Sequence, residues 1–287
     1  MSLTKADSPL IRSVVSRQQV GITASVIQRN DLLFHTFITD SPSIILLKRG
    51  KKTLTMGGKK ITLLPGDAIA IAGGAICNVE NKTDEGLFES AWIVCSELIL
   101  RRMEKEFPNR QRLKGIAGLK GLGKEFIKAF ERGVQSICTP DLIPDAVAEN
   151  RIRELLAWLF HVGFVFDSNE PVSLQRKVRR IIGVSPEKKW LASELAHSLA
   201  MSEATFRRKL AQEGQSFNEI LVDVRMTNAL TLLQVSDTSI SDIAYQVGYD
   251  SASRFSIRFK KRFGFSPNAI RGGFPHPTTM RIQAEPK

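Results

Sequence analysis

Arginine is the residue type in this chain with the clearest chemistry, and it falls in two matched runs. One lies in MSEATFRRKLAQEG (Met201–Gly214), the other in YDSASRFSIRFKKRFG (Tyr249–Gly264). Each opens on a serine able to cap a helix, Ser202 or Ser251, and continues with apolar residues at helical spacing. Phe206 and Leu210 in the first run, and Phe255 and Phe259 in the second, face a core and turn the basic residues outward. A guanidinium fork matches O6 and N7 of guanine, whereas a lysine meets phosphate as a point charge. The implied chemistry is recognition of a polyanion. The expected base-reading residues are Ala204, Thr205, Arg207 and Arg208, then Ala252, Ser253, Arg254, Ile257 and Arg258. The expected phosphate contacts are Ser202, Lys209, Ser251, Lys260, Lys261 and Arg262, which position a duplex without reading it.

Residue types for bond-making chemistry do not assemble in the same way. Cys77, Cys95 and Cys138 stand far apart without a CxxC pair, and His35, His161, His197 and His276 are equally scattered. Structural zinc needs four such ligands at short spacings, so no metal and no cofactor is expected, and the cysteines read as reduced, mostly buried thiols. Neither a nucleophile elbow, a P-loop nor a dinucleotide fingerprint is present, and the chain is not expected to be an enzyme. An alternative stays open: a metal-independent small-molecule-binding or isomerase barrel carrying a DNA-binding appendage.

Charge agrees with a polyanionic partner. The 287 residues carry a formal net charge of +12. From Leu174 to Gly273, 16 basic and nine acidic residues leave +7 in 100 residues. A solubilising surface would account for the same surplus. The length suits two domains. No apolar run is long enough to span a membrane, and Asp7 and Pro9 interrupt any secretory signal, so a cytoplasmic protein without a membrane partner is expected.

The elements that must hold the arginines follow from periodicity. Thr36 to about Glu97 reads as β: the strand Ser43–Gly50, a hairpin turning at Gly57-Gly58, the turn Leu64-Pro65-Gly66-Asp67, and the strands Ala68–Ala72 and Leu87–Cys95. Short strands at such intervals suggest a barrel or jelly roll. Leu98–Phe107, Gly123–Val134 and Asp145–Val165 read as helices, the last either packing on the barrel or serving a dimer interface. Asp167-Ser168-Asn169-Glu170-Pro171 forms a polar break. Beyond it everything is helical. Ser216 with Glu219 makes a capping box, Ser239 with Asp242 repeats the start signal, and Ser266-Pro267 opens a closing helix.

Leu191–Gly214 and Ile240–Gly264 therefore share a plan: a short helix with a small residue at its middle (Ala196, Ala244), a tight turn, and a capped second helix. The turns are taken as Leu199-Ala200-Met201 and Gly248-Tyr249-Asp250. This is a helix-turn-helix twice over, whose second helices enter the major groove. A connecting helix of roughly 18 residues spans about 27 Å, against about 34 Å between successive major grooves. Engaging both grooves then calls for bent DNA or release of one helix.

The stretch Ile240–Arg271 resembles the signature of the AraC/XylS transcription regulators: ISDIA, the V-G-Y turn, F-x-x-x-F-K-K-R-F-G, and S-P ending in Arg271. MSEATFRRKLAQEGQSF resembles the enterobacterial virulence and stress-response subgroup. The L-P-G-D turn is similar to one in the family's cupin-like effector and dimerisation domain. The fold implied is α+β with two domains: a cupin-like β-barrel with flanking helices, then an all-α domain with two helix-turn-helix motifs joined by a linker helix. Bounds of 1–168 and 172–273 are expected, with 274–287 a disordered tail. The resemblance implies a sequence-specific DNA-binding regulator, an activator contacting RNA polymerase at double-stranded promoter sites. It also implies a small-molecule effector and a homodimer. Lys48 and Arg49, ending an apolar strand, are the candidate effector contacts, or else ordinary strand-end charges. One departure bears on readout. Family members carry an aromatic residue at 254 and an arginine at 257, where this chain has Arg254 and Ile257. Ile257 is therefore expected to meet a thymine methyl or nothing, with Arg254 or Arg258 supplying the polar contact.

Overall fold

A computed structural model describes residues 13–168 and 172–271, with the side chain of Arg271 left aside. The tail 274–287 and most of the polar break lie outside the described residues.

The amino-terminal half is built on two antiparallel sheets. Strands β1 (Val15–Arg17), β2 (Gly21–Gln28), β4 (Ser43–Arg49), β7 (Ala68–Ile71), β9 (Phe88–Cys95) and β11 (Ile116–Leu119) form six strands in the order β1-β2-β9-β4-β7-β11. Strands β3 (Leu32–Ile38), β5 (Lys51–Met56), β6 (Lys59–Leu63) and β8 (Ile76–Lys82) form the second sheet, in the order β3-β8-β5-β6. A two-stranded parallel pair, β10 (Gln111–Leu113) with β12 (Phe164–Phe166), stands apart.

Why these residues make strands is plainest in β7, where Ala68, Ile69, Ala70 and Ile71 are all buried. Ile69 and Ile71 face the barrel interior with Leu47, Leu54 and Phe88. Ala68 and Ala70 face the opposite way with Ile44, Leu46, Ala91 and Ile93. Against that outer face pack α1 (Glu97–Glu106), α2 (Gly123–Cys138) and α3 (Asp145–His161). A strand covered on both sides reads as a continuous apolar run rather than an alternation. The hairpin β5–β6 turns on Gly57 and Gly58, both at positive φ, the backbone a two-residue turn demands.

Two sequence expectations change here. Among the described residues the barrel begins at Val15, upstream of Thr36. The helix from Asp145 ends at His161, and Phe164–Phe166 is a strand. Of the two readings of α3, burial of Ile152, Leu155, Leu156, Leu159 and Phe160 within the chain supports packing on the barrel, while Val147 of the same stripe stays 42% exposed.

The carboxy-terminal half is helical: α4 (Leu174–Val184), α5 (Ala192–Ser198), α6 (Glu203–Gln212), α7 (Phe217–Val235), α8 (Ile240–Gln246), α9 (Ala252–Phe263) and α10 (Pro267–Arg271). Ser202, Ser216, Ser239 and Ser251 each accept a backbone hydrogen bond at a helix start, and Ser216 with Glu219 completes a reciprocal capping box. Two cores result. The first joins α4, α5, α6 and the amino-terminal part of α7 through Val178, Leu195, Phe206 and Ile220. The second joins the rest of α7 with α8, α9 and α10, and runs without interruption into the barrel interior. Phe34 of β3 meets Phe263 and Phe265 edge-on, with centroids 6.3 and 5.5 Å apart.

Candidate nucleic-acid interface

Each recognition helix is set by a short helix before it. In the first unit Phe206 and Leu210 are fully buried, and in the second Phe255 and Phe259 are. Truncating any of these phenylalanines would cost about 3–5 kcal/mol. The turns superpose through their hydrogen bonds. Met201 N–H donates to Ala196 O at 2.9 Å and Ala200 N–H to His197 O at 3.0 Å. Tyr249 N–H donates to Ala244 O at 2.9 Å and Gly248 N–H to Tyr245 O at 2.9 Å. Ala200 therefore corresponds to Gly248, and both are left-handed, at φ 55° and 82°. The second turn is Val247-Gly248-Tyr249, one residue earlier than its sequence suggested, and Asp250 is an extra residue before the cap.

The burial pattern sorts the expected contacts. Ala204, Arg207, Arg208 and Lys209 are exposed on α6, and Thr205 is half-buried. Arg207 is paired along its own helix with Glu203, Nη2 to Oε1 at 2.7 Å. On α9, Ser253, Arg254, Arg258, Lys260 and Lys261 are exposed, Ala252 is half-buried, and Ile257 shows 69% of its surface. Ile257 is thus apolar surface on the same exposed face of α9 as Arg254 and Arg258. Ser202 and Ser251 cap their helices: Ser202 Oγ accepts from Thr205 N–H at 3.2 Å and Ser251 Oγ from Arg254 N–H at 3.3 Å. Their oxygens are committed as acceptors, which leaves only the hydroxyl proton for a phosphate, and Ser202 Oγ already lies 2.9 Å from Thr205 Oγ1.

Arg262 is corrected. It stands three residues beyond Phe259 and seven beyond Phe255, on the inward seam of α9. Its Nε pairs with Asp223 of α7, and its terminal nitrogens donate to the carbonyls of His35 at 3.1 Å and Thr36 at 2.8 Å. This guanidinium holds the helix to the barrel and is turned away from the reading face. For Lys48 and Arg49 the contacts agree with the other reading given above, that of ordinary strand-end charges. Lys48 lies 3.6 Å from Glu89, and Arg49 lies 2.6 Å from Glu85 and 3.7 Å from Asp84. Both have carboxylates of their own at the strand end.

Two groups escaped the sequence reading. Lys52 is buried inside the barrel, donating to Asn81 Oδ1 at 2.8 Å with the Phe88 ring 5.4 Å away. Asn81 in turn donates to Gln28 Oε1, which also accepts from Gln234 of α7. Burial holds the Lys52 ammonium well below the usual lysine range, at about 8. A lysine in an otherwise alternating strand carries no signal of this. The other is Arg225 of α7, beside a concavity of about 400 Å³ that Tyr249, Arg254, Ile257 and Arg258 also line.

Comparison with known proteins identifies a helix-turn-helix domain in the carboxy-terminal half. Residues 195–273 match the model of a helix-turn-helix domain. The chain is 38% identical over 103 residues to the HTH-type transcriptional regulator YdeO of Escherichia coli K12, covering 36% of this chain and 40% of that one. The likeness to these helix-turn-helix regulators is confined to the carboxy-terminal half. Over 108 residues the chain is 34% identical to the urease operon transcriptional activator of Escherichia coli, covering 38% of this chain and 36% of that one. It thus spans well under half the length of these relatives. The whole architecture is similar to ToxT from Vibrio cholerae, solved with an unsaturated fatty acid bound: TM-score 0.61, 13% identity, 88% of this chain and 95% of that one. The likeness extends the fold, a β-rich domain ahead of the helix-turn-helix domain, across both halves. Among the described residues no helix is long and apolar enough to cross a membrane.

Proposed function

We propose that this chain is a sequence-specific DNA-binding transcription regulator, an activator, that reads successive major grooves with α6 and α9. The observation that carries it is the pairing of two capped helices with buried phenylalanine seams and exposed arginine faces on one 19-residue helix, α7. At 1.5 Å per residue α7 spans about 28 Å, close to one turn of duplex.

In this reading Arg208 is the principal base reader of the first unit, since Arg207 is tethered to Glu203. Ala204 and Thr205 lie on the same face. Arg254 and Arg258 supply polar contacts in the second unit, with Ile257 against a thymine methyl and Ala252 and Ser253 at the helix start. Lys209, Lys260 and Lys261 meet phosphates. Residues 1–168 form an effector and dimerisation domain, and 172–273 the DNA-binding domain. Two likenesses support the finer points: a relative named as an activator, and a structural neighbour holding a fatty acid. RNA polymerase and a second copy of the chain are the further partners proposed.

The test is selection of genomic fragments by the purified chain at physiological salt, beside Arg208→Ala. A recurring asymmetric motif with two blocks about one turn apart, altered in one block by Arg208→Ala, is expected. Enrichment without a motif would sink the reading. Unchanged discrimination under the second block in both Arg254→Ala and Arg258→Ala would refute the role given to those arginines.

A further inference from the structure

The two helix-turn-helix units have separate hydrophobic cores, linked through α7, which contributes Ile220 and Val224 to one and Met226 and Ala229 to the other. Beyond that helix they meet at Asp223, whose carboxylate is shared by Arg179 of α4 and Arg262 of α9, and at Arg225. From α7 its Nε donates to Pro186 O at 2.9 Å and its Nη2 to Lys188 O at 3.0 Å, both in the loop between α4 and α5 of the first unit. The same guanidinium lies over the Tyr249 ring of the second unit, 6.0 Å from its centroid. Tyr249 meets Phe255 of α9 edge-on at 5.8 Å.

Gly248 shows how closely the units approach. A Cβ there would stand 2.6 Å from Arg225 Nη2 and 3.0 Å from Pro186 O. The glycine meets its left-handed φ and leaves room for the other unit's carbonyl. A planar fork bonded to two carbonyls of one unit and stacked on an aromatic of the other resists rotation in a way a single bond cannot.

We propose that Arg225 is a positioning residue: it fixes the relative orientation of α6 and α9, and with it the separation of DNA blocks that the chain accepts. The second clause rests on the DNA-reading proposal above; the first does not. Two sites joined rigidly bind together only at the separation their geometry allows. Loosening the joint should broaden the tolerated spacing as well as weaken binding.

The experiment has two arms on the full chain. In a Cys138→Ser background, with Cys77 and Cys95 buried, spin labels at Ala204→Cys and Ser253→Cys report the distance between the recognition helices without DNA. A single narrow distribution is expected, broadened or displaced by Arg225→Ala. Arg225→Lys, which keeps the charge without the fork, should fall between, and it serves in place of Arg225→Ala if that variant does not fold. Distributions that superpose overturn the proposal. In the second arm, sites selected by the wild-type chain are tested with one base pair inserted between blocks. We expect a loss of about tenfold for wild type, shrinking to about twofold in Arg225→Ala. A two-block site whose spacing preference survives Arg225→Ala overturns the positioning role and leaves DNA reading standing. A broadened distribution with no two-block site selected does the reverse.

Discussion

Arg179 of α4 and Asp40, in the loop after β3, form an ion pair at 2.6 Å across 139 residues of sequence. The other arm of the guanidinium donates to Asp223 of α7, also at 2.6 Å. Asp223 is shared with Arg262 of α9. One buried carboxylate thus ties the first unit, the linker helix and the second recognition helix together, and Arg179 joins them to the barrel. Arg176 and Arg180 extend this seam by donating to Asp40 O at 3.2 and 3.4 Å.

Arg179 shows only 2% of its side chain, while Asp40 shows 29%. Removing one partner of a buried pair leaves the other charge uncompensated, which costs about 3–5 kcal/mol. Arg179→Ala should lose stability near the low end of that range, since Asp223 retains Arg262. Asp40→Asn, at the wetter rim, should cost about 1 kcal/mol. Urea denaturation of both variants checks the order, and equal losses would contradict the burial argument.

Lys260 and Arg262, two residues apart, should behave differently on DNA. Lys260 is exposed beyond the seam, whereas Arg262 is spent on Asp223 and two barrel carbonyls. Lys260→Ala should weaken all duplexes alike and flatten the dependence of log affinity on log salt by about one contact. Arg262→Ala should lower thermal stability and leave that slope unchanged. Affinity titrations from 50 to 200 mM salt separate the two.

Ala200 and Gly248 hold the same left-handed turn position in the two units. For a residue with a Cβ that conformation costs about 1–2 kcal/mol, offset in part by the extra freedom glycine loses on folding. Ala200→Gly should therefore stabilise the chain by about 0.5–1 kcal/mol. Gly248→Ala should destabilise it, through both φ and the contacts with Arg225 and Pro186. Calorimetric melting of the pair measures both signs.

Lys52 makes stability depend on pH in a defined direction. Its folded-state pKa of about 8 lies below the ordinary 10.5, so between these values the unfolded chain binds more protons and stability rises with pH. Burial pushes the thiols of Cys77 up to about 11 and of Cys95 to about 12, so the folded chain binds more protons above the ordinary 9.0, which opposes the rise. The lysine effect should therefore be cleanest between pH 8 and 9. Lys52→Met should be more stable than wild type at pH 7, with the difference shrinking as pH rises through 10.5. A constant difference across that range would show that Lys52 is not desolvated as described.

The local grammar of this chain was legible before any coordinates. Serine caps, the capping box, the glycine hairpin and the phenylalanine seams of α6 and α9 all act over a few residues, and each is written in consecutive sequence. The exposed basic face followed from the same periodicity, which is why Arg208, Arg254 and Arg258 stand in solvent where helical spacing puts them. β2 escaped because both of its faces are largely covered and its residues show no two-residue alternation. What only the tertiary structure decided is the destination of individual charges. Arg262 looks like one more member of KKR until the carbonyl of His35, 227 residues away, accepts its hydrogen bond. Lys48 and Arg49 look available until β9 and the turn before it bring up Glu89, Asp84 and Glu85. Helical and strand periods encode which way a side chain points. Which partner waits there depends on how distant elements pack, and local sequence carries no record of that.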